Sequence, residues 1–338
     1  MKKIITIDTG TTNSRVTLWE GHQPLLKVFK PVGVRNTAIN HGNKKQLQEA
    51  LRQALNSVIS QANISNHKQV QIIASGMITS NVGLIEIPHL KAPAGIDELA
   101  LGMQAKNIPQ VFDQPIWFIP GIRNNPKEIS PKNISNIDII RGEEVEAIGA
   151  INRLNLKGPA ILILPGSHTK FIKLDNHQKI QASITSMTGE LLSLLTKQSI
   201  LADSVKNKFT DQIDVPALLL GQKAALDYGL GRAGFLVRLL GMFTGYTRSQ
   251  KANFLLGAVL ANDLKAIKNN HAFSITSSEP FIILSNKILG QALETLIEKD
   301  PTLPNPTKDY DLQNLAGIGA IEITKRRKAI ENKRRKEL

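Results

Sequence analysis

The residues best suited to chemistry stand together at positions 8–15, which read D-T-G-T-T-N-S-R after an apolar run. Asp8 would end a strand, and its carboxylate suits Mg²⁺, which prefers oxygen ligands and keeps part of its water. Gly10 lets the backbone approach a ligand closely, and the N–H groups of such a turn bind anions. The other potential ligand groups are Thr11, Thr12, Asn13 and Arg15. The segment predicts a phosphate-binding hairpin tip or an ordinary surface turn, in which Gly, Thr and Asn are also common.

The same pattern returns about half a chain later. An apolar run precedes P-G-S-H-T-K at residues 165–170, and two further apolar stretches follow, separated by a polar turn. Superposing Gly10 on Gly166 places Thr11 on Ser167. This period is too long for a solenoid, so it indicates a duplicated domain. Two such hairpins facing each other across a cleft would clamp a nucleotide.

Three glutamates crowd residues 143–146 beside Arg141, where the pattern indicates the start of a helix. The helix dipole favours acids at that end, so their presence alone does not indicate catalysis. Glu143 nevertheless comes shortly before the second hairpin, where a carboxylate would face the cleft. A kinase needs one carboxylate to orient the attacking hydroxyl and accept its proton.

The elements that position these residues follow from the hydrophobic pattern. Apolar residues at helical spacing predict an amphipathic helix over residues 44–59. The loop at 75–83 follows a predicted strand at 70–74, and ligands of open α/β sheets lie at such strand ends. Its Gly, Ser, Thr and Asn residues suit a polyhydroxylated substrate, and a plain connection is the alternative. Further strands are expected at 116–119 and 281–284, and helices within 188–270 and at 288–298 and 312–323.

Length and composition restrict the classes of protein that fit. With 338 residues, two domains are the natural expectation. The chain has no cysteine, which excludes thiol nucleophiles, disulfides and zinc–thiolate sites. No apolar segment reaches the length of a membrane span, and the first residues do not form a signal-peptide core. We therefore expect a cytoplasmic protein with no membrane partner.

The formal net charge of +14 raises the question of nucleic acid. Much of that charge lies at residues 324–338, where eight Lys and Arg residues face two Glu residues. Such a run is usually a solvated helical end or a frayed tail. Aromatic residues make up only 4% of the chain, which is few for base stacking. We expect no nucleic-acid partner.

Six short motifs, taken in order, resemble those of the 2-dehydro-3-deoxygalactonokinase family. This family belongs to the superfamily of sugar kinases, heat-shock ATPases and actin. The resemblance covers the chain from residue 4 to about residue 323. The motifs lie at residues 7–15, 76–83, 119–121, 141–144, 164–170 and 187–191.

The resemblance implies an α/β fold of two similar ribonuclease-H-like domains, with mixed sheets flanked by helices and a nucleotide cleft between them. Residues 1–156 would bind the first phosphate group and the sugar acid, and residues 157–324 the second phosphate group and adenosine. Residues 325–338 would form a basic tail. The implied reaction uses ATP and Mg²⁺ to phosphorylate the 6-hydroxyl of 2-dehydro-3-deoxy-D-galactonate, a small-molecule sugar acid, in galactonate breakdown.

The resemblance also assigns roles in phosphate transfer. Asp8 would position Mg²⁺. The superfamily's Gly-Asp pair corresponds to Gly142-Glu143, which makes Glu143 the expected base and Glu144 the alternative. His168 would donate to a phosphate or be a turn residue bonded to backbone. The implied nucleotide ligands are Gly10, Thr11, Thr12, Asn13, Arg15, Gly166, Ser167, Thr169 and Lys170.

On the substrate side, a cation must meet the carboxylate of a sugar acid. Arg15, Lys91 and Arg141 are all candidates for that contact. The other implied substrate contacts are Met77, Ser80, Asn81, Thr188 and Glu190.

Two alternatives stay open at this point. The fold hosts many substrates, so the chain could phosphorylate a related 2-keto-3-deoxy sugar acid or a sugar. It could also be a non-catalytic, kinase-like nucleotide-binding protein, because Ser285 and Asn286 stand where the family has a glycine-containing turn near adenosine. Gly257, in the preceding helix, matches the family. A homodimer is a possible assembly.

Overall fold

The computed structural model describes residues 3–276, 279–285, 287–307 and 313–337, and its architecture is α/β. Two large mixed sheets and one small sheet are flanked by helices. The strands are β1 (Lys3–Thr9), β2 (Ser14–Glu20), β3 (Gln23–Lys30), β4 (Val70–Gly76), β5 (Leu90–Lys91), β6 (Gln104–Lys106), β7 (Ile116–Phe118), β8 (Ile122–Arg123), β9 (Ile139–Ile140), β10 (Ala160–Leu164), β11 (Thr169–Leu174), β12 (Ile180–Ser186), β13 (Phe281–Ile283) and β14 (Pro306–Thr307). The helices are α1 (Val34–Ile39), α2 (Lys45–Gln61), α3 (Ile96–Gly102), α4 (Glu143–Arg153), α5 (Thr188–Gln198), α6 (Ala202–Val205), α7 (Val215–Phe243), α8 (Arg248–Asn269), α9 (Ile288–Glu298) and α10 (Leu315–Lys336).

The two large sheets share one topology, which confirms the predicted duplication. Their strand orders are β3-β2-β1-β4-β7-β6 and β12-β11-β10-β13-β14. In each half the first three strands form an antiparallel meander, and the next strand of the sheet pairs in parallel with the first. The tips at Gly10 and Gly166 therefore follow equivalent central strands, β1 and β10.

The strands and helix faces that are buried are those with apolar sequences. β10 is buried along its whole length, as its uninterrupted apolar run predicts. The first half's helix α2 places Leu47, Leu51, Leu55 and Val58 on one fully buried face against the first sheet. Each such side chain contributes roughly 1.5–3 kcal/mol when it leaves water. This packing fixes the sheet whose strand ends carry the first tip.

A small sheet of the first half, in the order β5-β8-β9, packs beside β12 of the second half. Ala94 and Ile180 exchange backbone hydrogen bonds of 3.1 and 2.8 Å between the two halves. Close by, the Asn124 amide donates to the Ser183 carbonyl at 2.9 Å and accepts from the Ser183 N–H at 2.8 Å. These contacts lie along β12 and hold the two halves together.

The last helix, α10, packs against α4 and α3 of the first half. Its Arg327 guanidinium donates to the carbonyls of Ala100 and Met103 and lies 4.5 Å from the centre of the Trp117 ring. The basic run at 325–336 is thus the end of a long helix. The division of the chain after residue 156 stays a prediction. Within the described residues, no helix is long and apolar enough to span a membrane.

Candidate active site

A cleft of about 510 Å³ lies between the two large sheets, and both hairpin tips line it. Gly10 and Thr11 come from the first tip, and Gly166 and Ser167 from the second. The two tips therefore share one crevice. Other predicted site residues that line it are Asp8, Arg15, Met77, Ser80, Asn81, Arg141, Glu143, His168 and Lys170.

Each tip is held by the first turn of a helix in the same way. The carbonyls of Gly10 and Thr11 accept hydrogen bonds from the first N–H groups of α1, at 3.2 and 2.8 Å. The carbonyls of Gly166 and Ser167 accept equivalent bonds from the first N–H groups of α5, at 3.2 and 3.0 Å. This shared pattern confirms the superposition of Gly10 on Gly166. It also turns these carbonyl oxygens toward the helices, away from an incoming anion.

Glycine is needed where each of these helices meets its tip. A Cβ on Gly33, just before α1, would lie 2.5 Å from the Thr11 carbonyl oxygen. A Cβ on Gly189, in the first turn of α5, would lie 2.5 Å from the Gly166 carbonyl oxygen. Real Cβ atoms do not approach backbone this closely, so a side chain at either position would displace the tip.

A cation occupies the same sheet position behind each tip. Arg15 pairs with Asp8 across β1 and β2, and Lys170 pairs with Leu164 across β10 and β11. The Arg15 guanidinium lies 3.0 Å from the Asp8 carboxylate. The Lys170 ammonium donates to Thr185 Oγ1 at 2.8 Å and lies 3.9 Å from Glu143. Each tip thus has one cation behind it.

Three carboxylates line the cleft close to these cations: Asp8, Glu143 and Glu146. Glu143 Oε2 accepts the Arg141 N–H at 2.9 Å, which fixes the side chain at the start of α4. Burial raises the pKa of Asp8, and Arg15 opposes that shift. Burial, together with the nearby carboxylates of Asp8 and Glu143, raises the pKa of Glu146 to about 8. Crowded acids of this kind favour a cation between them.

Glu144 does not face the cleft. Its side chain is fully buried, Oε2 accepts the Gly142 N–H at 2.7 Å, and Oε1 has no partner among the described residues. Burial, with a smaller contribution from Glu143, raises the pKa of Glu144 to about 8. Of the two candidate bases, Glu143 is the one whose carboxylate reaches the crevice.

The buried Glu144 should make stability depend on pH. Its folded pKa of about 8 lies above the ordinary value of 4.5, so the folded state holds the proton longer than the unfolded state. Stability is therefore lost as pH rises from about 4.5 to about 8. Glu144→Gln, which is neutral at every pH, should gain stability relative to the wild type over this range, by on the order of 4 kcal/mol. Urea unfolding at pH 5 and pH 8 measures the difference, and equal curves for both proteins at both pH values would contradict it.

The opposite side of the cleft is built around Arg141. One guanidinium nitrogen donates to the carbonyl and the hydroxyl of Thr79, both at 2.6 Å. The other bonds to the Ile87 carbonyl and His89 Nδ1, both at 3.1 Å. Arg141 makes no ion pair with a carboxylate in the described part of the chain. It therefore holds the loop that carries Met77, Ser80 and Asn81, and the nearest carboxylates, Glu144 and Glu86, act on its charge only from a distance.

Two predicted substrate contacts have other partners. The Thr188 hydroxyl is buried and donates to Asp263 Oδ2 at 2.6 Å, so Thr188 faces α8 and not the cleft. The Glu190 carboxylate lies 2.6 Å from His168 Nε2. Lys91 lies in β5 outside the cleft lining. Thr188 and Lys91 thus lie away from the cleft lining, and Glu190 is a partner of the second tip. The expected contacts of these three residues with the substrate stay predictions.

Some predicted nucleotide ligands also lie outside the cleft lining. Asn13 donates to Thr12 Oγ1 at the exposed end of the first tip, and Thr169 is fully buried. Gly257 lies where α8 meets α7, and a Cβ there would be 1.9 Å from the Leu218 carbonyl oxygen, so its glycine serves helix packing. Ser285 Oγ accepts the N–H of residue 287 at 3.2 Å, before α9. Asn286 lies outside the described residues.

Sequence reasoning missed four polar residues of the cleft: Thr9, Glu86, His89 and Glu146. The sequence could have predicted Glu146 as a cleft residue, because residues three apart on a helix share a face and Glu143 is expected to point into the cleft. His89 and Glu86 come from a loop whose course is set by Arg141, a contact more than 50 residues distant in sequence. No local pattern indicates such a contact.

The chain is similar in sequence and in fold to known proteins. A family model described as 2-keto-3-deoxy-galactonokinase matches residues 8–318. Among solved structures, a protein from Sinorhizobium meliloti proposed to be a 2-dehydro-3-deoxygalactonokinase is 21% identical, with a TM-score of 0.71 over 97% of this chain and 99% of that chain. The ADPNP-bound activator of 2-hydroxyisocaproyl-CoA dehydratase from Clostridium difficile is 10% identical, with a TM-score of 0.49 over 98% and 97% of the two chains.

No curated protein matches the chain in a sequence search. The likeness to the Sinorhizobium meliloti structure shows the fold, at an identity too low to show more. The family model, in contrast, spans nearly the whole sequence, from Asp8 to Ile318. The chain therefore belongs to the 2-keto-3-deoxy-galactonokinase family.

Proposed function

We propose that this kinase transfers the γ-phosphoryl group of ATP to the 6-hydroxyl of 2-dehydro-3-deoxy-D-galactonate in galactonate breakdown. The observation that carries the proposal is that both hairpin tips line one cleft together with Asp8 and Glu143. Family membership supplies the substrate class. The chain's own residues have three tasks in this reaction: to bind the triphosphate, to orient the acceptor hydroxyl and to take its proton.

The triphosphate would lie between the two tips. Backbone N–H groups in glycine turns bind phosphate oxygens, and the carbonyls of both tips are already bonded to α1 and α5. Arg15 and Lys170, one on each side, would add charge-assisted hydrogen bonds. His168, at 2.6 Å from Glu190, would exchange this partner for a phosphate oxygen when the nucleotide binds.

The residues of the cleft also fit Mg²⁺. Asp8 and Glu146 supply carboxylate oxygens, the ligands that Mg²⁺ prefers. Burial raises the pKa of both groups, and for Glu146 the nearby acids Asp8, Glu143 and Glu144 add to the shift, so a cation beside them would be stabilising. When bound, the ion would neutralise charge on the β- and γ-phosphates. Within the described chain, the Glu146 side chain forms no hydrogen bond or salt bridge, so its carboxylate would be free to help hold the ion.

Glu143 is the proposed base. Its carboxylate lines the cleft at the start of α4, and the Arg141 N–H holds one oxygen at 2.9 Å. Lys170 lies 3.9 Å from the other oxygen. A carboxylate held in this way can orient the 6-hydroxyl and accept its proton as the O–P bond forms.

We place the sugar acid beside Met77, Ser80 and Asn81, on the Arg141 side of the cleft. Four of the five guanidinium N–H groups of Arg141 are bonded to Thr79, Ile87 and His89. Its positive charge is not paired with a carboxylate within the described residues, so it would offset the carboxylate of the substrate. Arg15 is already paired with Asp8.

Adenine would occupy a second cavity, of about 200 Å³, that runs along α5 from the second tip. Gly189 lies at the junction, because it lines this cavity and its N–H bonds to the Gly166 carbonyl. Leu192, Phe209 and Leu289 give the cavity an apolar lining suited to a purine face. The family's glycine-containing turn near adenosine corresponds here to the region of Ser285, just before α9.

Thr188 should act on ATP binding through its bond to Asp263. Asp263 also accepts from Ser186, and the two hydroxyls fix the start of α5, which holds the second tip. Thr188→Val removes one of these bonds, and we expect the KM for ATP to rise roughly tenfold with little change in kcat. Thr188→Ser keeps the hydroxyl and should behave as the wild type. A fall in kcat without a change in the KM for ATP would instead indicate direct contact with the sugar acid.

ADP release on addition of the sugar acid tests the activity. The purified chain, with ATP and Mg²⁺, should turn over 2-dehydro-3-deoxy-D-galactonate and use related 2-keto-3-deoxy acids and hexoses more slowly. A preference for another member of this panel would reassign the substrate. ATP binding in a calorimeter without turnover of any of them would favour the non-catalytic alternative.

A further inference from the structure

Exposed apolar side chains are concentrated on one helix, α7. Eighteen large apolar residues are exposed among those the structure describes, and seven of them belong to this helix. Single exposed apolar residues are normal on a protein surface, but a contiguous patch marks an interaction site. α7 lies in the second half, and none of its residues lines the cleft.

The helix bends sharply, which brings two apolar surfaces together. Gly229 has φ 79° and ψ 160°, so α7 consists of two arms that meet at this residue. A cavity of about 330 Å³ lies between the arms and Phe254 of α8. Its lining includes Leu220 and Tyr228 from the first arm, and Leu236, Leu240 and Phe243 from the second.

The second arm carries an apolar stripe whose side chains are exposed, except that Leu236 and Leu239 are half-buried and Leu236 packs against the core of the second half. Phe235, Leu236, Leu239, Met242 and Phe243 follow the spacing i, i+1, i+4, i+7 and i+8, which places them on one helical face. Phe243 is 76% exposed and Met242 61% exposed. Tyr228, at the end of the first arm, is 66% exposed. We call this stripe, with Leu220 and Tyr228, the α7 face.

We propose that the α7 face is the interface of a homodimer. From the exposed fractions, its side chains present on the order of 700 Å² to solvent. A stable, specific interface buries about 800 Å² on each partner, so one copy of this face matches what a dimer needs. In a two-fold dimer the same patch contacts itself, and the projecting Phe243 of one copy would enter the cavity between the arms of the other.

The charges of α7 are compatible with a second copy of the chain. Lys223 and Asp227, 2.6 Å apart, both line the cavity, so its rim carries opposite charges. A rim of both signs can pair with itself across a two-fold axis. Arg232 and Arg238 are the other charged residues of α7. The exposed apolar area is what favours a second copy over a nucleic acid or an anionic membrane, which would bind through cations.

Sedimentation velocity of the full chain tests the proposal. The wild type should sediment with twice the monomer mass and dissociate on dilution. Met242→Glu and Phe243→Glu place a charge in the α7 face and should weaken the dimer roughly 30-fold or more. Leu25→Glu is a matched control, because Leu25 is 52% exposed on β3 in the first half and lies off this face. It should dimerise as the wild type does.

Two results would overturn the proposal. One is a wild type that stays monomeric at every concentration, which would leave the face to a different partner. The other is a dimer that persists in both folded α7 variants. Circular dichroism establishes whether the variants fold. If they do not, hydrogen exchange on the wild type decides: residues 230–243 should be more protected at high protein concentration than at low, and equal protection would refute the interface.

Discussion

Glu143→Gln should lower kcat by roughly 10²–10⁴, the usual range for loss of a general base, with nucleotide binding retained. Gln keeps the shape of the side chain and the oxygen that accepts the Arg141 N–H. It cannot accept the proton of the 6-hydroxyl. The loss should therefore appear in kcat, and the KM for ATP and the Kd of ADP should change little. Steady-state kinetics and calorimetry measure these quantities.

Glu144→Gln is the matched control, one residue further along the same helix. Glu144 is fully buried, and its pKa of about 8 keeps it protonated near neutral pH. A protonated carboxyl group cannot accept a proton from the substrate. This variant should keep nearly the full rate. If Glu144→Gln loses the rate and Glu143→Gln keeps it, the two roles are exchanged and the proposed position of the base is wrong.

Asp8→Asn should raise the Mg²⁺ concentration needed for half-maximal rate by roughly 10–100-fold, as loss of a residue that supports a metal site does. The change removes a negative charge beside Arg15 and Glu146 without altering the size of the side chain. Binding of metal-free ADP should be unchanged or tighter, because one charge that repels phosphate is gone. The rate measured as a function of Mg²⁺ concentration gives the metal requirement. Calorimetry of ADP binding with and without Mg²⁺ separates that requirement from the affinity for the nucleotide.

Asp113→Asn is the control for Asp8→Asn. Asp113 is an exposed acid paired with His67 and does not line the cleft. It should show the Mg²⁺ dependence of the wild type. An Asp8→Asn enzyme with an unchanged Mg²⁺ requirement would remove Asp8 from the proposed metal site.

Local signals in the sequence predicted much of the fold. Turn chemistry at Gly10 and Gly166 located both hairpins, because these conformations depend on a few neighbouring residues. Helical spacing predicted α2 from residue 44 to 59, and the structure has Lys45–Gln61. Strands β4 and β10 also lie where short apolar runs predicted them. The repeated order of these elements indicated the duplicated domain.

Contacts distant in sequence explain what could not be predicted. Thr188 lies in a family motif, yet its partner Asp263 is 75 residues away, so no local pattern shows that it faces α8. The choice between Glu143 and Glu144 depends on the direction in which α4 leaves the sheet, since adjacent helical residues point about 100° apart. The basic end of α10 is positioned by Arg327 bonding to Ala100 and Met103, more than 200 residues earlier.

A crystal structure with Mg²⁺ and a non-hydrolysable ATP analogue is the most direct test of the two-tip clamp. The account predicts phosphate oxygens within hydrogen-bond distance of backbone N–H groups in both residues 10–13 and residues 166–169, with the metal on the Asp8 side. A triphosphate held by one tip alone, or bound outside the cleft, would contradict it.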